Sequence, residues 1–114
     1  NLDDRPDRLP SLEERIPILR PQLVRLDADI LCLQEVCGQR VKGRKRRLDA
    51  MNQLLEGTPY EGYKRANTID PYTKEVFDHH NLVILSRYQI VNSDQYLHHY
   101  APAPRYKKVT AHPE

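Results

Sequence analysis

Asp29-Ile30-Leu31-Cys32-Leu33-Gln34-Glu35-Val36 runs through four consecutive apolar residues and then stops at an amide and a carboxylate. Ile30 to Leu33 has the length and composition of a short strand buried on both faces. A carboxylate placed where such a strand leaves the core is costly to bury without a partner. Glu35 therefore calls for a cation, a cluster of donors or water at the strand's edge, and is the first candidate for chemistry. Neighbouring strand residues point to opposite faces, so Gln34 is expected to face away from Glu35 and to support the local backbone.

The rest of the chain punctuates itself clearly. Residues 2–10 are charged and carry Pro6 and Pro10, which reads as loop. Ser11-Leu12-Glu13-Glu14 has the Ser-x-x-Glu form of a capping box and should start a helix. Leu12, Ile16, Leu19, Leu23 and Leu26 recur at three- and four-residue steps, placing them on one helical face. Pro17 and Pro21 each remove a donor and crowd the preceding turn, predicting a kink or a helix that begins at Pro17. A second helix is expected around Leu48, Met51, Leu54 and Leu55, ended by Gly57 ahead of Pro59. Glu61 to Asn67 reads as a strand anchored by Tyr63, Thr68 to His80 as an extended polar loop, and Asn81 to Leu85 as the clearest later strand. Tyr88 to Val91 and Tyr96 to Tyr100 are expected as further short strands, with Ala101-Pro102-Ala103-Pro104 as a rigid connector. No internal repeat or low-complexity segment interrupts this pattern.

Charge is informative only through its clustering. The net charge is +2 over 114 residues, too mild to argue for or against a polyanionic partner. Between Arg40 and Arg47, however, lie Lys42, Arg44, Lys45 and Arg46, a basic stretch that reads either as a solvated helix N-terminus or as a loop able to attract phosphate. Positive charge at a helix start opposes the macrodipole, so this cluster costs stability unless something anionic offsets it. Cys32 falls in the strand expected to be buried and Cys37 just beyond it. The two make neither a disulfide framework nor the full ligand set of a structural zinc site. Free thiols lean towards an intracellular, cytoplasmic setting, but a signal on a missing N-terminus would be invisible here and localisation stays open. The pairs His79-His80 and His98-His99 lie on extended segments, where adjacent side chains diverge, and are expected to be poor metal-binding pairs. No apolar run approaches the ~18 residues of a membrane span. Phosphate-binding glycine loops, nucleophile elbows and zinc-protease motifs are absent.

Leu33-Gln34-Glu35 resembles the Leu-Gln-Glu motif of the endonuclease/exonuclease/phosphatase family, the DNase-I-like metallohydrolases. Asn81-Leu82-Val83-Ile84-Leu85-Ser86-Arg87 is similar to that family's Gly-Val-Ala-Ile-Leu-Ser-Arg strand, with Asn81 and Leu82 where many members have Gly and another residue. The resemblance spans nearly all of residues 1–114 but only the N-terminal half of the family's domain. It implies an α/β fold, the N-terminal half of a four-layer α/β sandwich in which helices cover mixed β-sheets. The first strand, with its ligand Asn, and the C-terminal half would then be missing. Asn1-Leu2 looks like the loop after that strand, and the ligand role is not carried onto Asn1. Val109 to Glu114 breaks off in mid-pattern.

The resemblance further implies a fragment of a magnesium-dependent phosphoesterase or nuclease, acting on phosphodiester or phosphomonoester bonds. Glu35 would be the metal ligand, with Mg2+ the expected ion and Mn2+ an alternative. Arg40, Lys42 and Arg44 would bind substrate phosphate, nucleic acid included. The family's remaining catalytic groups come from later motifs that match nothing here, so these residues alone are expected to be inactive without the other half of their domain. The rival reading is a non-catalytic module whose basic loop, residues 40–47, binds nucleic acid or an acidic partner.

Overall fold

The computed structural model describes residues 2–43 and 45–106. Asn1, Arg44 and residues 107–114, including the segment from Val109 to Glu114, lie outside the described residues. The chain forms a small mixed α/β domain in the order α1 (Leu12–Leu26), β1 (Ile30–Cys37), β2 (Gln39–Arg40), β3 (Arg46–Arg47), α2 (Asp49–Leu55), a 3-10 turn (Pro59–Gly62), β4 (Lys64–Asn67) and β5 (His80–Ser86).

The capping box forms as its sequence predicts. Glu14 N–H donates to Ser11 Oγ at 3.2 Å, and Ser11 N–H donates to the Glu14 carboxylate at 2.8 Å. The helix does not begin at Pro17: α1 starts at Leu12 and continues through both Pro17 and Pro21. Tertiary contacts outweigh the lost backbone bonds: Leu12 and Ile16 are buried, and Leu19 and Leu23 pack against the core. Arg20 adds a tie to the carbonyl end of α2, donating to Leu54 O at 3.0 Å and Gln53 O at 2.7 Å. Those carbonyls have no partner within their own helix end, so the guanidinium satisfies them while joining the two helices.

Five residues from α2 and its edges, Leu48, Ala50, Met51, Leu54 and Leu55, are buried. Leu48 precedes α2 and offers no side-chain cap. Gln39 supplies one from the preceding hairpin, its Oε1 accepting from Ala50 N–H at 3.0 Å. Gly57 follows the helix with φ 72°, a left-handed conformation suited to a residue without Cβ. Tyr60, fully buried in the 3-10 turn, is an anchor that the expectation centred on Tyr63 overlooked. Its hydroxyl donates to Leu23 O at 2.8 Å and accepts from Ala28 N–H at 2.9 Å, which fixes the passage from α1 into β1.

The main sheet has the order β1-β5-β4, both pairs antiparallel, and β2 and β3 form a separate antiparallel hairpin. One parallel bridge, Leu2 to Val36, lies outside these strands. On the inner face Leu31, Val83 and Leu85 pack with the helices. The expectation that Ile30 to Leu33 is buried on both faces is corrected here: Leu31 is 8% exposed but Ile30 is 56% exposed, and Cys32 is exposed as well. Leu82 and Ile84 share the outer, exposed face with them. Two apolar faces with a cover on only one of them produced the continuous apolar run.

Arg87, at the end of the second motif, ties β5 to the start of β1. It pairs with Asp29 at 2.8 Å and with Asp27 at 3.2 Å, and donates to the Tyr63 hydroxyl at 3.2 Å. Asp27 is the left-handed C-cap residue of α1. Neither Tyr88 to Val91 nor Tyr96 to Tyr100 forms a strand. Pairing with β5 has no room, since β5 already has a neighbour on each side; Val91 is 96% exposed, and Gln95 instead bonds the backbone of Ile69.

Candidate functional site

The β1–β5 ladder changes character at Gln34 and Glu35. From Ile30 opposite Ser86 to Leu33 opposite Val83 the register is regular; it resumes with Val36 opposite Asn81 and Cys37 opposite His80. Between Leu33 and Val36, β1 therefore contains one residue more than β5, a β-bulge that bends the strand and re-aims its side chains. Glu35 lies in this bulge with φ 51°, in the left-handed region. Such a backbone costs a non-glycine residue of order 1–3 kcal/mol and is concentrated at functional sites.

The bulge exposes Gln34 as well as Glu35, so simple alternation does not assign them one face each. Among the described residues, no hydrogen bond or ion pair engages the Glu35 carboxylate. On the backbone side, Glu35 O accepts from Leu2 N–H at 3.4 Å. The carboxylate is thus held in solvent at a sheet edge, one hard oxygen donor with room for water around it. That donor chemistry fits a magnesium ion that takes one carboxylate and completes its shell with water and phosphate.

The basic stretch is a hairpin followed by α2, rather than a plain helix start. Val41 N–H donates to Lys45 O at 3.0 Å, closing its tip. Lys45 pairs with Glu75 at 3.2 Å, Arg46 with Asp78 at 3.7 Å, and Arg47 with Asp49 at 3.1 Å. Asp49 also places negative charge in the first turn of α2, which offsets the unfavourable arginines at that end. Arg40 and Lys42 are exposed, with no ion pair among the described residues, whereas Arg44 lies outside them. No hydrogen bond or ion pair brings Arg40 or Lys42 to Glu35.

Immediately past the bulge, the structure gathers residues that the sequence did not connect. Cys37 Sγ lies 3.9 Å from His79 Nε2, and the His79 and His80 rings are 4.5 Å apart. One ligand atom from each of Cys37, His79 and His80 lies within 4.8 Å of the other two. The expectation that adjacent histidines diverge fails because His79 sits in a bend ahead of β5, where strand alternation does not hold. Cys37 faces this pair because the bulge moves it opposite His80; an unbroken register would have set it opposite His79. The available signal was a Cys two residues beyond Glu35 and a His one residue before the second strand motif.

Asn81 organises this end of the sheet. Buried at the centre of the turn, its Nδ2 donates to Asp78 O at 2.6 Å and Val36 O at 3.2 Å, while its Oδ1 accepts from Thr68 Oγ1 at 3.1 Å and Asp78 N–H at 3.3 Å. Asp78 Oδ1 in turn accepts from His79 N–H at 2.7 Å, and Gly38 N–H donates to His79 O at 2.9 Å. A Cβ on Gly38 would fall 2.5 Å from Asp78 O, so only glycine permits this approach.

Asp3 is buried beside the same end and paired with Arg5 at 2.7 Å. Burial pushes its carboxyl upward, but the Arg5 N–H and guanidinium outweigh that and, with His79, hold it below the ordinary carboxylate value. Burial pushes the Cys37 thiol upward, and the charges of Asp3 and Asp4 add to the effect. No helix among the described residues is long and apolar enough to cross a membrane. No family model, curated protein or solved structure matches the chain.

Proposed function

We propose that this chain carries the metal-binding strand of a magnesium-dependent phosphoesterase, within the N-terminal half of a DNase-I-like sandwich. The observation that carries this reading is Glu35: an exposed carboxylate on a β-bulge, in a left-handed backbone. A surface glutamate paired with a nearby arginine is the plainer alternative, but among the described residues no ion pair reaches Glu35, and Lys45, Arg46 and Arg47 pair with Glu75, Asp78 and Asp49. The two motifs that resemble the endonuclease/exonuclease/phosphatase family lie on directly paired strands. A sheet with helices on one face and exposed Ile30, Leu82 and Ile84 on the other also suits a layer that packs against a second sheet.

In this reading Glu35 anchors the ion, and a bound magnesium supplies Lewis-acid stabilisation of a phosphoryl group. Arg40 and Lys42 draw the anionic substrate towards the hairpin as mobile surface charges. Gln34 lies beside Glu35 in the bulge, where its amide is placed to bond water or substrate. Base and leaving-group chemistry are not supplied by these residues, and the 114-residue chain by itself is expected to show no substantial turnover.

The test is a magnesium titration of the 114-residue chain followed by backbone amide NMR. Millimolar magnesium should shift resonances from Leu33 to Val36, and Glu35→Gln should remove those shifts. Unchanged resonances around Glu35 would refute the reading, as would robust phosphodiesterase activity of the chain that survives Glu35→Gln. Salt-sensitive nucleic-acid binding that ignores magnesium and is lost in Arg40→Ala/Lys42→Ala would instead support a binding module.

A further inference from the structure

The cluster beyond the bulge differs chemically from the Glu35 carboxylate, and its donors select a different ion. Magnesium prefers hard oxygen donors, whereas a thiolate with two imidazoles favours zinc and its softer neighbours. We infer that Cys37, His79 and His80 form a three-ligand site for a zinc-class divalent cation, with the fourth position open to water or an exchangeable donor.

Three features support the assignment. The first is reach: with zinc–sulfur and zinc–nitrogen bonds of about 2.3 and 2.0–2.1 Å, tetrahedral ligands lie about 3.6 Å apart. Cys37 Sγ and His79 Nε2 are already 3.9 Å apart, and the whole set falls within 4.8 Å. Small rotations of the two imidazoles close the remaining gap. The second is support, since metal ligands need a framework that fixes their orientation. Cys37 is held in β1 directly opposite His80; the backbone of His79 is held by Gly38 and Asp78, and Asn81 fixes Asp78 itself. The third is access. Cys37 is buried, His79 half-buried and His80 exposed, so the set leads from the sheet edge to solvent and leaves a path for the ion.

The coordination number carries a consequence. Structural zinc sites are closed by four protein ligands, whereas sites with three keep a position for water or substrate. No fourth His, Cys, Asp or Glu joins the cluster among the described residues. With these three as its protein ligands the site is of the exchangeable kind, and its negative neighbour, Asp3, favours the cation through space. It shares no ligand with the Glu35 site, so either assignment can fail without the other.

Cobalt(II) provides the probe, because it takes zinc's geometry and reports it optically. Titration of the full 114-residue chain should saturate at one equivalent, with a thiolate charge-transfer band and visible bands of tetrahedral intensity that zinc abolishes by displacement. Cys37→Ser should remove the charge-transfer band. His80→Ala, at an exposed position that leaves the core intact, should weaken binding by at least about tenfold, the scale seen even for the loss of groups behind a ligand. His98→Ala should leave the titration unchanged, Glu35→Gln should retain the thiolate charge-transfer band, and millimolar magnesium should not compete. An octahedral spectrum without thiolate absorption would overturn the proposal, as would unaltered affinity in His80→Ala. Should Cys37→Ser fail to fold, the wild-type charge-transfer band and the His80→Ala affinity still decide.

Discussion

The two ends of the β1–β5 ladder use the same pair of strands for opposite purposes. At the regular end, Leu31, Val83 and Leu85 point inward in unbroken alternation and are buried against the helices. At the bulged end, one extra residue breaks the alternation, places Glu35 in a left-handed backbone and sets Cys37 against a pair of histidines. There the polar network of Asn81 stands beside the buried Val36. Stability is concentrated where the register is simple, and strain and ligand chemistry where it is interrupted. This division is physically reasonable, since a bulge re-aims side chains only by giving up ladder hydrogen bonds and backbone comfort.

The sharpest way to break this contrast is at Leu85, which is completely buried. Leu85→Ala should cost about 2–5 kcal/mol in urea unfolding, the transfer loss plus the cavity left behind. Ile84→Ala, on the opposite face and 43% exposed, should cost under about 1 kcal/mol, because little apolar area returns to water. Equal losses would mean that the outer face is covered in solution and that the inner face has no privileged role.

Glu35→Gly probes the strained end and should have the opposite sign. Glycine adopts φ 51° without the Cβ conflict, so the variant should gain about 1 kcal/mol in the same unfolding measurement. It should also lose any magnesium response, separating a stability cost from a functional gain. A destabilised Glu35→Gly would show instead that the glutamate side chain supports the bulge.

The smallest effect is expected from pH. Asp3, bridged to the strand edge through the neighbouring Leu2, has a folded-state value held below its ordinary 3.8. A depressed carboxyl stabilises the fold fully above its unfolded value, and that contribution is lost as pH falls through the folded value. Asp3→Asn should therefore be less stable than the wild type at neutral pH, with the difference shrinking below pH 3.8. A constant difference across that range would exclude the Asp3 carboxylate as its source.

Local pattern was sufficient for several elements. The Ser11 capping box, the spacing of Leu12 and Ile16, the inner face of α2 with its terminating Gly57, and the Asn81 to Leu85 strand all follow from interactions within a few residues. The late helix start at Pro17 did not follow, because burial of the α1 face and the Arg20 tie to α2 are long-range effects that local propensity omits. The pairing of Tyr88 to Val91 with β5 failed for a related reason: β1 and β4 already occupy both sides of β5.

By itself, the sequence determined where an apolar run meets a carboxylate, and hence that Glu35 stands at a strand's edge. Only the tertiary structure decided the register. A single inserted residue exposes Gln34 and Glu35 together, turns Val36 inward and moves Cys37 opposite His80. Side-chain direction in a strand has period two, so one residue of slip inverts every face beyond it. Which residue is slipped depends on the partner strand, 45 residues away at the bond from Asn81 to Val36.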